Sequence, residues 1–257
     1  WLKAIRFESR AMHKLSLSSL FASIVAAIGT RGAEVAIIDI IRHGEKCPGC
    51  GIHLTKEGQA RAEYIARCMR NNGSASLPFG PPDFIIYGES SSHRPLETVA
   101  PLARALGLEV SMPCQPDDGE CFAKHVQTLL TNGSTLLVSW VHEHIPKLVK
   151  GLHVDHVPSF YDKWPEACPS KAWPEPACCM SIDLDNPHYD SSCYDMIWQL
   201  RLVRTSAMSK EWKVASITWL QEGFGGSSTS QCREGLTPTS SRSQSDFLSF
   251  PWDGIVI

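Results

Sequence analysis

The sequence predicts a three-layer α/β/α domain, built on a mostly parallel β-sheet. Short apolar runs rich in β-branched residues recur at 35–41, 83–87 and 135–140, and such runs are typical of strands buried on both faces. Segments with helical spacing separate these runs, and the connections are short, which favours parallel strands joined by helices. The 257 residues are 43% hydrophobic and 20% charged, an ordinary globular composition.

The elements are predicted in order from the first strand, at 35–41. Thr55 is the expected N-cap of the first helix, whose apolar residues repeat at helical spacing as far as Met69. Gly107 suits the end of the second helix, because glycine tolerates a left-handed backbone there. The later elements are a strand at 83–87, a helix at 94–106, a strand at 108–111, a helix around 122–130, a strand at 135–140 and a helix near 144–152.

Charge and cysteine content limit the partners and the compartment. With 24 basic and 27 acidic residues the net charge is −3, whereas a nucleic-acid-binding protein usually has a strong basic excess. We therefore expect no nucleic-acid partner. Ten cysteines are many for a reduced cytosolic enzyme. They favour a secreted protein or one in the lumen of the secretory pathway, with the cytoplasm as the alternative.

Both ends differ from the centre of the chain. Residues 1–33 are predicted to be a signal-peptide-like leader, with an uncharged run at 15–30 that is too short for a stable membrane span. An N-terminal helix packed on the domain is the alternative. Residues 223–257 are rich in Ser, Thr and Gly and predict a disordered tail, with a translated intron or frameshift as the alternative. A single domain at 34–222 remains.

The cysteines and one insertion suggest a restrained, loop-rich surface. Cys114 and Cys121 bracket an acidic loop and could form a disulfide that restrains it. Cys47 and Cys50 are expected to be a local disulfide or two thiols rather than a zinc site, because no second CxxC occurs. Residues 158–193, rich in Pro, Trp and Cys, are expected to form a loop region over the site.

The ligand site is expected beyond the carboxyl ends of the strands, as in other open α/β sheets. Arg42 and His43 directly follow the first strand. A histidine can attack phosphorus when its other ring nitrogen is held by a hydrogen bond, and an arginine offers a planar fork that matches phosphate oxygens. Gly44 lets the backbone approach a ligand closely.

Two further strand ends carry cationic or imidazole side chains. Arg94 lies in the first turn of a helix, where an anion is favoured, and Glu97 is close enough in sequence to hold its guanidinium. After the strand at 135–140 come His142 and His144, and either could point into the crevice. The sequence has no Walker loop and no further cluster at ligand spacing. We therefore expect a phosphate site with no metal and no cofactor.

Four motifs follow one another along the chain: IIRHGEK at 40–46, LTKEGQARA at 54–62, SSSHRPLETVAPLARALGL at 90–108 and SWVHEHIPKLVKGL at 139–152. In this order, over roughly residues 35–220, they resemble the histidine phosphatase (phosphoglycerate mutase-like) superfamily. The resemblance implies a phosphoglycerate mutase-like fold. Within it, CQPDDGEC at 114–121 and YDMIW at 194–198 bring the chain closest to small fungal phosphoglycerate mutase-like proteins.

The resemblance also implies roles for the site residues. His43 would be the nucleophile that becomes phosphohistidine, and Arg42, Arg94 and His142 would bind the phosphoryl oxygens. We choose His142 over His144 because the superfamily has a tryptophan two residues before this histidine, as this chain does. Where the superfamily usually has a glutamate directly before this histidine, this chain has a valine.

The predicted activity is phosphomonoester hydrolysis of the histidine acid phosphatase type, on a small phosphorylated molecule. It needs a carboxylic acid to protonate the leaving oxygen and then activate water. In the superfamily this acid often lies between the second arginine and the second histidine, and the resemblance therefore implies Asp117, Asp118 or Glu120 here. We favour Asp118, and capping of the following helix is its alternative role. A phosphomutase of the same fold and a weakly catalytic binding protein are the alternative functions. No oligomeric state is predicted.

Overall fold

The computed structural model describes residues 33–46, 51–70, 80–88, 91–154, 163–164, 194–205, 211–224 and 231–232. Within these ranges the strands are β1 (Glu34–Arg42), β2 (Phe84–Tyr87), β3 (Val110–Ser111), β4 (Thr135–Trp140), β5 (Met196–Arg204) and β6 (Lys213–Gln221). The helices are α1 (Lys56–Cys68), α2 (Arg94–Leu106), α3 (Gly119–Leu129) and α4 (Ile145–Gly151).

The six strands form one sheet in the order β3-β2-β4-β1-β5-β6. Strand β4 pairs in parallel with β1 and β2, and β2 pairs in parallel with β3. The added strands β5 and β6 are antiparallel to their neighbours. The predicted α/β class with a mostly parallel sheet is therefore confirmed, with an antiparallel extension at one side for which the sequence predicted no elements.

Helices cover both faces of the sheet. On one face, Phe122 and Val126 of α3 and Leu148 of α4 share a buried cluster with Ile38 and Ile40 of β1. On the other face, residues of α1 and α2 share a second cluster with the last apolar residue of β1. Because successive side chains of a strand point to opposite faces, β1 contributes to both cores. This arrangement confirms the three predicted layers.

Local signals read from the sequence explain where two helices begin and end. The Thr55 hydroxyl accepts from the Gly58 backbone N–H at 3.1 Å, so Thr55 caps α1 as predicted. Gly107 follows α2 with a φ of +68°, the left-handed conformation expected of a glycine at this position.

Several predictions about the ends and loops fall mainly outside the described residues. These include the leader before residue 33, the 47–50 cysteine pair and most of the 158–193 loop region. Of the predicted tail, Phe224 packs in the core and Cys232 is bonded to Cys68, so the fold extends beyond residue 222. The predicted Cys114–Cys121 disulfide is present. No helix in the described part of the chain is long and apolar enough to cross a membrane.

Candidate active site

The carboxyl ends of β1 and β4 bring two of the predicted histidines together. Arg42 pairs in register with Trp140, and the next residue, His43, donates its backbone N–H to the Trp140 carbonyl at 3.1 Å. His142 lies two residues beyond Trp140, and its ring centroid is 6.5 Å from that of His43. His144 instead occupies the N-cap position of α4. The parallel pairing of β1 and β4 therefore produces the predicted convergence of His43 and His142.

The environment of His43 defines which ring nitrogen can react. His43 is 3% exposed, and its Nδ1 lies 2.7 Å from the Gly44 carbonyl oxygen. A carbonyl only accepts, so Nδ1 carries the proton and Nε2 carries the lone pair. Burial lowers the pKa of His43 well below its usual value, and the positive charges of Arg42, His142 and Lys46 lower it further. His43 is therefore an uncharged imidazole at neutral pH.

A tyrosine that the sequence did not single out lies against Arg42 and His43. Arg42 is buried, its Nη2 donates to the Tyr194 hydroxyl at 3.2 Å, and its guanidinium carbon lies 3.9 Å from the ring centroid. The same hydroxyl accepts from the Lys46 backbone N–H at 3.4 Å. The Tyr194 and His43 ring centroids are 6.2 Å apart. Arg42, His43, His142 and Tyr194 together are called the histidine crevice below.

Thr98 of α2 holds the backbone that follows His43. The Thr98 hydroxyl accepts from the Gly44 N–H at 2.8 Å and donates to the Arg94 carbonyl at 2.7 Å. A Cβ on Gly44 would lie 3.1 Å from the Cα of Gly58, so the loop passes close to the first turn of α1. The turn after β1 is thus fixed by contacts from both helices on this face.

The Arg94 side chain is directed to a loop rather than held by Glu97. Its Nε donates to the His53 carbonyl at 3.0 Å, and its Nη2 donates to the Gly51 carbonyl. Glu97 accepts instead from the His53 ring at 2.5 Å and from the Leu54 N–H at 2.8 Å. The prediction that Glu97 holds the Arg94 guanidinium is wrong, because the 51–54 loop supplies donors to Glu97 and acceptors to Arg94. The phosphate-binding role of Arg94 stays a prediction.

Asp118 caps the helix that follows it, which is the alternative role given for it in the sequence analysis. Its Oδ1 accepts from the Cys121 N–H at 2.8 Å, and Asp118 is the N-cap of α3. Asp118 and Glu120 line an open groove together with Pro113, Cys121, Lys124 and His125. The lining of this groove does not include Arg42, His43 or His142. The role of Asp118 as proton donor stays a prediction.

The loop that carries Asp118 is nevertheless tied to the strand end beside the histidine crevice. The indole N–H of Trp140 donates to the Pro116 carbonyl at 2.8 Å. The Cys114–Cys121 disulfide closes the loop around the three acidic candidates. The hydrogen bond from Trp140 and the disulfide therefore both restrain the loop that carries Asp118.

A second buried polar group lies beside the histidine crevice, and we call it the carboxylate cluster (Glu45, Arg61, Asp195 and Glu222). Arg61 Nε donates to Glu45 Oε1 at 2.9 Å and to Oε2 at 3.1 Å, and Nη2 donates to Oε1 at 2.6 Å. Its Nη1 donates to Asp195 at 3.2 Å and to Glu222 at 2.6 Å. One guanidinium therefore serves three carboxyl groups.

Three carboxyl groups around one guanidinium alter the protonation of the carboxylate cluster. Burial raises the pKa of Glu222 to about 8 and that of Asp195 to about 6, although Arg61 opposes both shifts. Burial alone would lower the pKa of Arg61, but Glu45 and Glu222 hold it well above its usual value. Arg61 is therefore charged, and the cluster retains a proton on a carboxyl group near neutral pH.

A signal for the carboxylate cluster was present in the sequence. Arg61 lies one residue before Ala62 and four before Ile65, so it occupies the apolar face of α1. A charged residue on the buried face of a helix requires partners, because an unpaired buried charge is costly. The identity of those partners could not be read, since Asp195 and Glu222 come from strand ends more than 130 positions away.

Among the described residues, no group of three or more His, Cys, Asp or Glu side chains is arranged to hold a metal ion.

No family model matches the chain, and no curated protein matches it. A solved structure assigned as the phosphohistidine phosphatase SixA of Nakamurella multipartitia is similar at 15% identity and a TM-score of 0.40, covering 73% of this chain and 97% of its own. Mycobacterial glucosyl-3-phosphoglycerate phosphatase is similar at 11% identity and a TM-score of 0.39, covering 70% and 97%. Phosphoglycerate mutase of Bacillus anthracis is similar at 8% identity and a TM-score of 0.35, covering 76% and 95%.

The TM-scores of these three similarities lie between 0.35 and 0.40, and the identities lie between 8% and 15%. Membership of the superfamily that the sequence resembles and the closer resemblance to fungal proteins stay predictions.

Proposed function

We propose that this chain is a phosphomonoester hydrolase that transfers a phosphoryl group from a small phosphorylated molecule first to His43 and then to water. The state of the His43 ring supports this most. Its Nδ1 donates to the Gly44 carbonyl, so the lone pair is on Nε2, and the lowered pKa keeps the imidazole uncharged. An uncharged imidazole beside a guanidinium has the form that a phosphorus nucleophile requires.

In the proposed first step, Nε2 of His43 attacks phosphorus in line with the leaving oxygen. The N–P bond forms while the P–O bond breaks, and a carboxylic acid gives its proton to the departing oxygen. Arg42 and His142 stabilise the charge that spreads over the equatorial oxygens. Nε and one N–H of Nη2 of Arg94 are engaged by the carbonyls of His53 and Gly51, so Arg94 would contribute through its remaining N–H groups or after leaving these carbonyls.

In the proposed second step, water attacks the phosphohistidine. A new P–O bond forms, the N–P bond breaks, and Nε2 recovers its lone pair, while a proton of the water passes to the carboxylate. Asp118 remains our choice for this carboxylate, with Asp117 and Glu120 as alternatives. The bond from Trp140 to the Pro116 carbonyl supports a role for this loop, because it anchors the loop beside the strand that precedes His142.

The test is hydrolysis of para-nitrophenyl phosphate and of a panel of phosphosugars by the full chain, between pH 4 and 8. We expect turnover by the parent, its loss in His43→Ala, and an acid-labile, alkali-stable phosphoryl label on the parent after rapid quenching. His142→Ala is compared with His144→Ala as a matched pair. We expect a loss of about 10²- to 10³-fold in kcat for the first and little change for the second.

Each result separates the proposal from its alternatives. Equal turnover by the parent and His43→Ala would contradict the phosphohistidine route. Transfer of phosphate between substrate hydroxyls without release would identify a phosphomutase. Phosphate binding by the parent without any turnover would favour a weakly catalytic binding protein.

We also infer that the chain folds in an oxidising compartment, as a secreted or secretory-lumen protein. The Cys68–Cys232 and Cys114–Cys121 disulfides support this, because structural disulfides are rare in reducing compartments. Peptide mapping of alkylated native protein, with and without reduction, tests the inference. Recovery of these four cysteines in the alkylated thiol form would contradict it.

A further inference from the structure

We propose that Tyr194 is a positioning residue for phosphate binding, which orients the Arg42 guanidinium and fastens residues 42–46 to the start of β5. This role rests on the proposed function. It adds to that function a residue that orients Arg42, the main cationic group of the histidine crevice.

The contacts between Tyr194 and Arg42 restrict the guanidinium in two directions. The Tyr194 hydroxyl accepts from Arg42 Nη2 at 3.2 Å, which restrains rotation within the guanidinium plane. The ring lies under the guanidinium at 3.9 Å, which restrains tilting. Because phosphate is recognised by the planar fork of an arginine, the orientation of that plane determines which edge meets the phosphoryl oxygens.

Tyr194 also reaches the backbone on the far side of His43. Its hydroxyl accepts from the Lys46 N–H at 3.4 Å, and its ring is 6.2 Å from that of His43. One side chain therefore contacts residues before and after the nucleophile. The next residue, Asp195, bonds Arg61 and the Phe224 N–H, so the backbone that carries Tyr194 is itself fixed.

Tyr194 is buried, with 3% of its surface exposed, which makes its hydrogen bonds effective. A bond to a charged group that is shielded from water contributes more than a surface bond, and its loss gives the arginine other orientations. Replacement of the hydroxyl alone should therefore weaken phosphate binding without unfolding the protein.

The experiment compares the parent with Tyr194→Phe, which keeps the ring under Arg42 but removes the acceptor. Binding of inorganic phosphate is measured by titration calorimetry, and kcat and KM are measured with para-nitrophenyl phosphate. We expect phosphate affinity and kcat/KM each to fall about 10- to 100-fold. Melting temperatures recorded with and without phosphate show whether the variant is folded.

Tyr64→Phe is the matched control. Tyr64 is a fully buried tyrosine whose hydroxyl donates to the Glu222 carbonyl at 3.0 Å, and it is not part of the histidine crevice. We expect it to lower the melting temperature as much as Tyr194→Phe does, but to keep phosphate affinity within about twofold of the parent. Equal phosphate affinity in the two variants would overturn the proposal, because the loss of the Tyr194 hydroxyl would then affect phosphate binding no more than the loss of any buried tyrosine hydroxyl.

A double-mutant cycle tests whether Tyr194 acts through Arg42. Tyr194→Phe should weaken phosphate binding much less in an Arg42→Lys background than in the parent, because lysine has no plane to orient. Additive effects would overturn the proposal.

The calorimetric measurement needs no turnover, so it separates the two proposals. A parent that binds phosphate but does not hydrolyse esters contradicts the proposed function, and Tyr194→Phe still tests this inference by affinity. A parent that hydrolyses esters, with normal binding in Tyr194→Phe, contradicts only this inference. A parent that neither binds phosphate nor hydrolyses esters overturns both.

Discussion

The histidine crevice and the carboxylate cluster are neighbouring buried polar regions with opposite charge balance. His43 and Glu45 are two residues apart in one turn, and Tyr194 and Asp195 are consecutive. In the crevice, Arg42 bonds the neutral phenol of Tyr194. In the cluster, Arg61 bonds three carboxyl groups.

This difference separates two uses of a buried arginine. The nitrogens of Arg61 are all engaged by carboxylates of the protein, so its charge is compensated internally and it joins α1 to both antiparallel strands. The guanidinium of Arg42 lies on the phenol ring of Tyr194, and its positive charge lowers the pKa of the adjacent His43. The comparison predicts that the cluster supports stability and the crevice supports anion binding.

The largest expected effect comes from exchanging each arginine for methionine. Arg61→Met leaves three buried carboxyl groups without their cation, and we expect it to lower the free energy of unfolding by about 3–5 kcal/mol. Arg42→Met should instead reduce kcat/KM by about 10²- to 10³-fold. Urea denaturation at pH 7 and steady-state kinetics measure the two effects. Equal losses of stability in the two variants would contradict the assignment of stability to the carboxylate cluster and of anion binding to the histidine crevice.

A second prediction concerns the backbone where the two regions meet. A Cβ on Gly58 would lie 2.7 Å from the Glu45 carbonyl oxygen and 2.9 Å from its nitrogen. Gly58→Ala should therefore push α1 away from the turn after β1, lowering stability by about 1–3 kcal/mol and reducing kcat/KM. The exposed Gln59→Ala is the control, with both quantities unchanged. A stable and fully active Gly58→Ala would show that the two regions are independent.

The third prediction concerns how stability depends on pH. Burial raises the folded-state pKa of Glu222 to about 8 from its ordinary value of 4.5, so between these pH values the folded chain holds a proton that the unfolded chain loses. The free energy of unfolding therefore falls as pH rises from about 5 to 8. Glu222→Gln removes this titration, and its urea stability should fall less steeply over that range.

The control for that measurement is Glu143→Gln, because Glu143 is exposed. Its pH dependence should match that of the parent. A Glu222→Gln curve parallel to the parent curve would mean that the proton of the carboxylate cluster resides elsewhere.

The smallest expected effect concerns the acid limb of the pH–rate profile. Burial lowers the pKa of His43 well below 6.5, and the charge of Lys46 contributes. In the parent, protonation of the nucleophile should therefore reduce kcat/KM only below pH 6.5. Lys46→Met removes one positive charge, so the pKa of His43 should rise and the acid limb should move to higher pH. If the acid limb of the pH–rate profile lies at the same pH in Lys46→Met as in the parent, the limb reports the titration of a group other than His43.

Much of the fold followed from local patterns that do not depend on distant residues. The strand at 135–140 and the helix at 94–106 were predicted at the bounds the structure has, because apolar runs and a glycine at the helix end are local signals. Strands β5 and β6 were missed, since β5 is buried at both faces over its first five residues and then becomes partly exposed. Such a strand follows neither a simple alternation nor an uninterrupted apolar run.

The sequence by itself determined that His43 and His142 follow strands of a mostly parallel sheet, because the alternating pattern and the short connections favour that arrangement. Only the tertiary structure decided that these two strands are neighbours, and it also decided the side-chain partners. It directs Arg94 to the carbonyls of Gly51 and His53, and it brings Tyr194 under Arg42. These pairings join residues from 41 to 152 positions apart. Strand pairing and helix packing select such partners, and no local pattern encodes them.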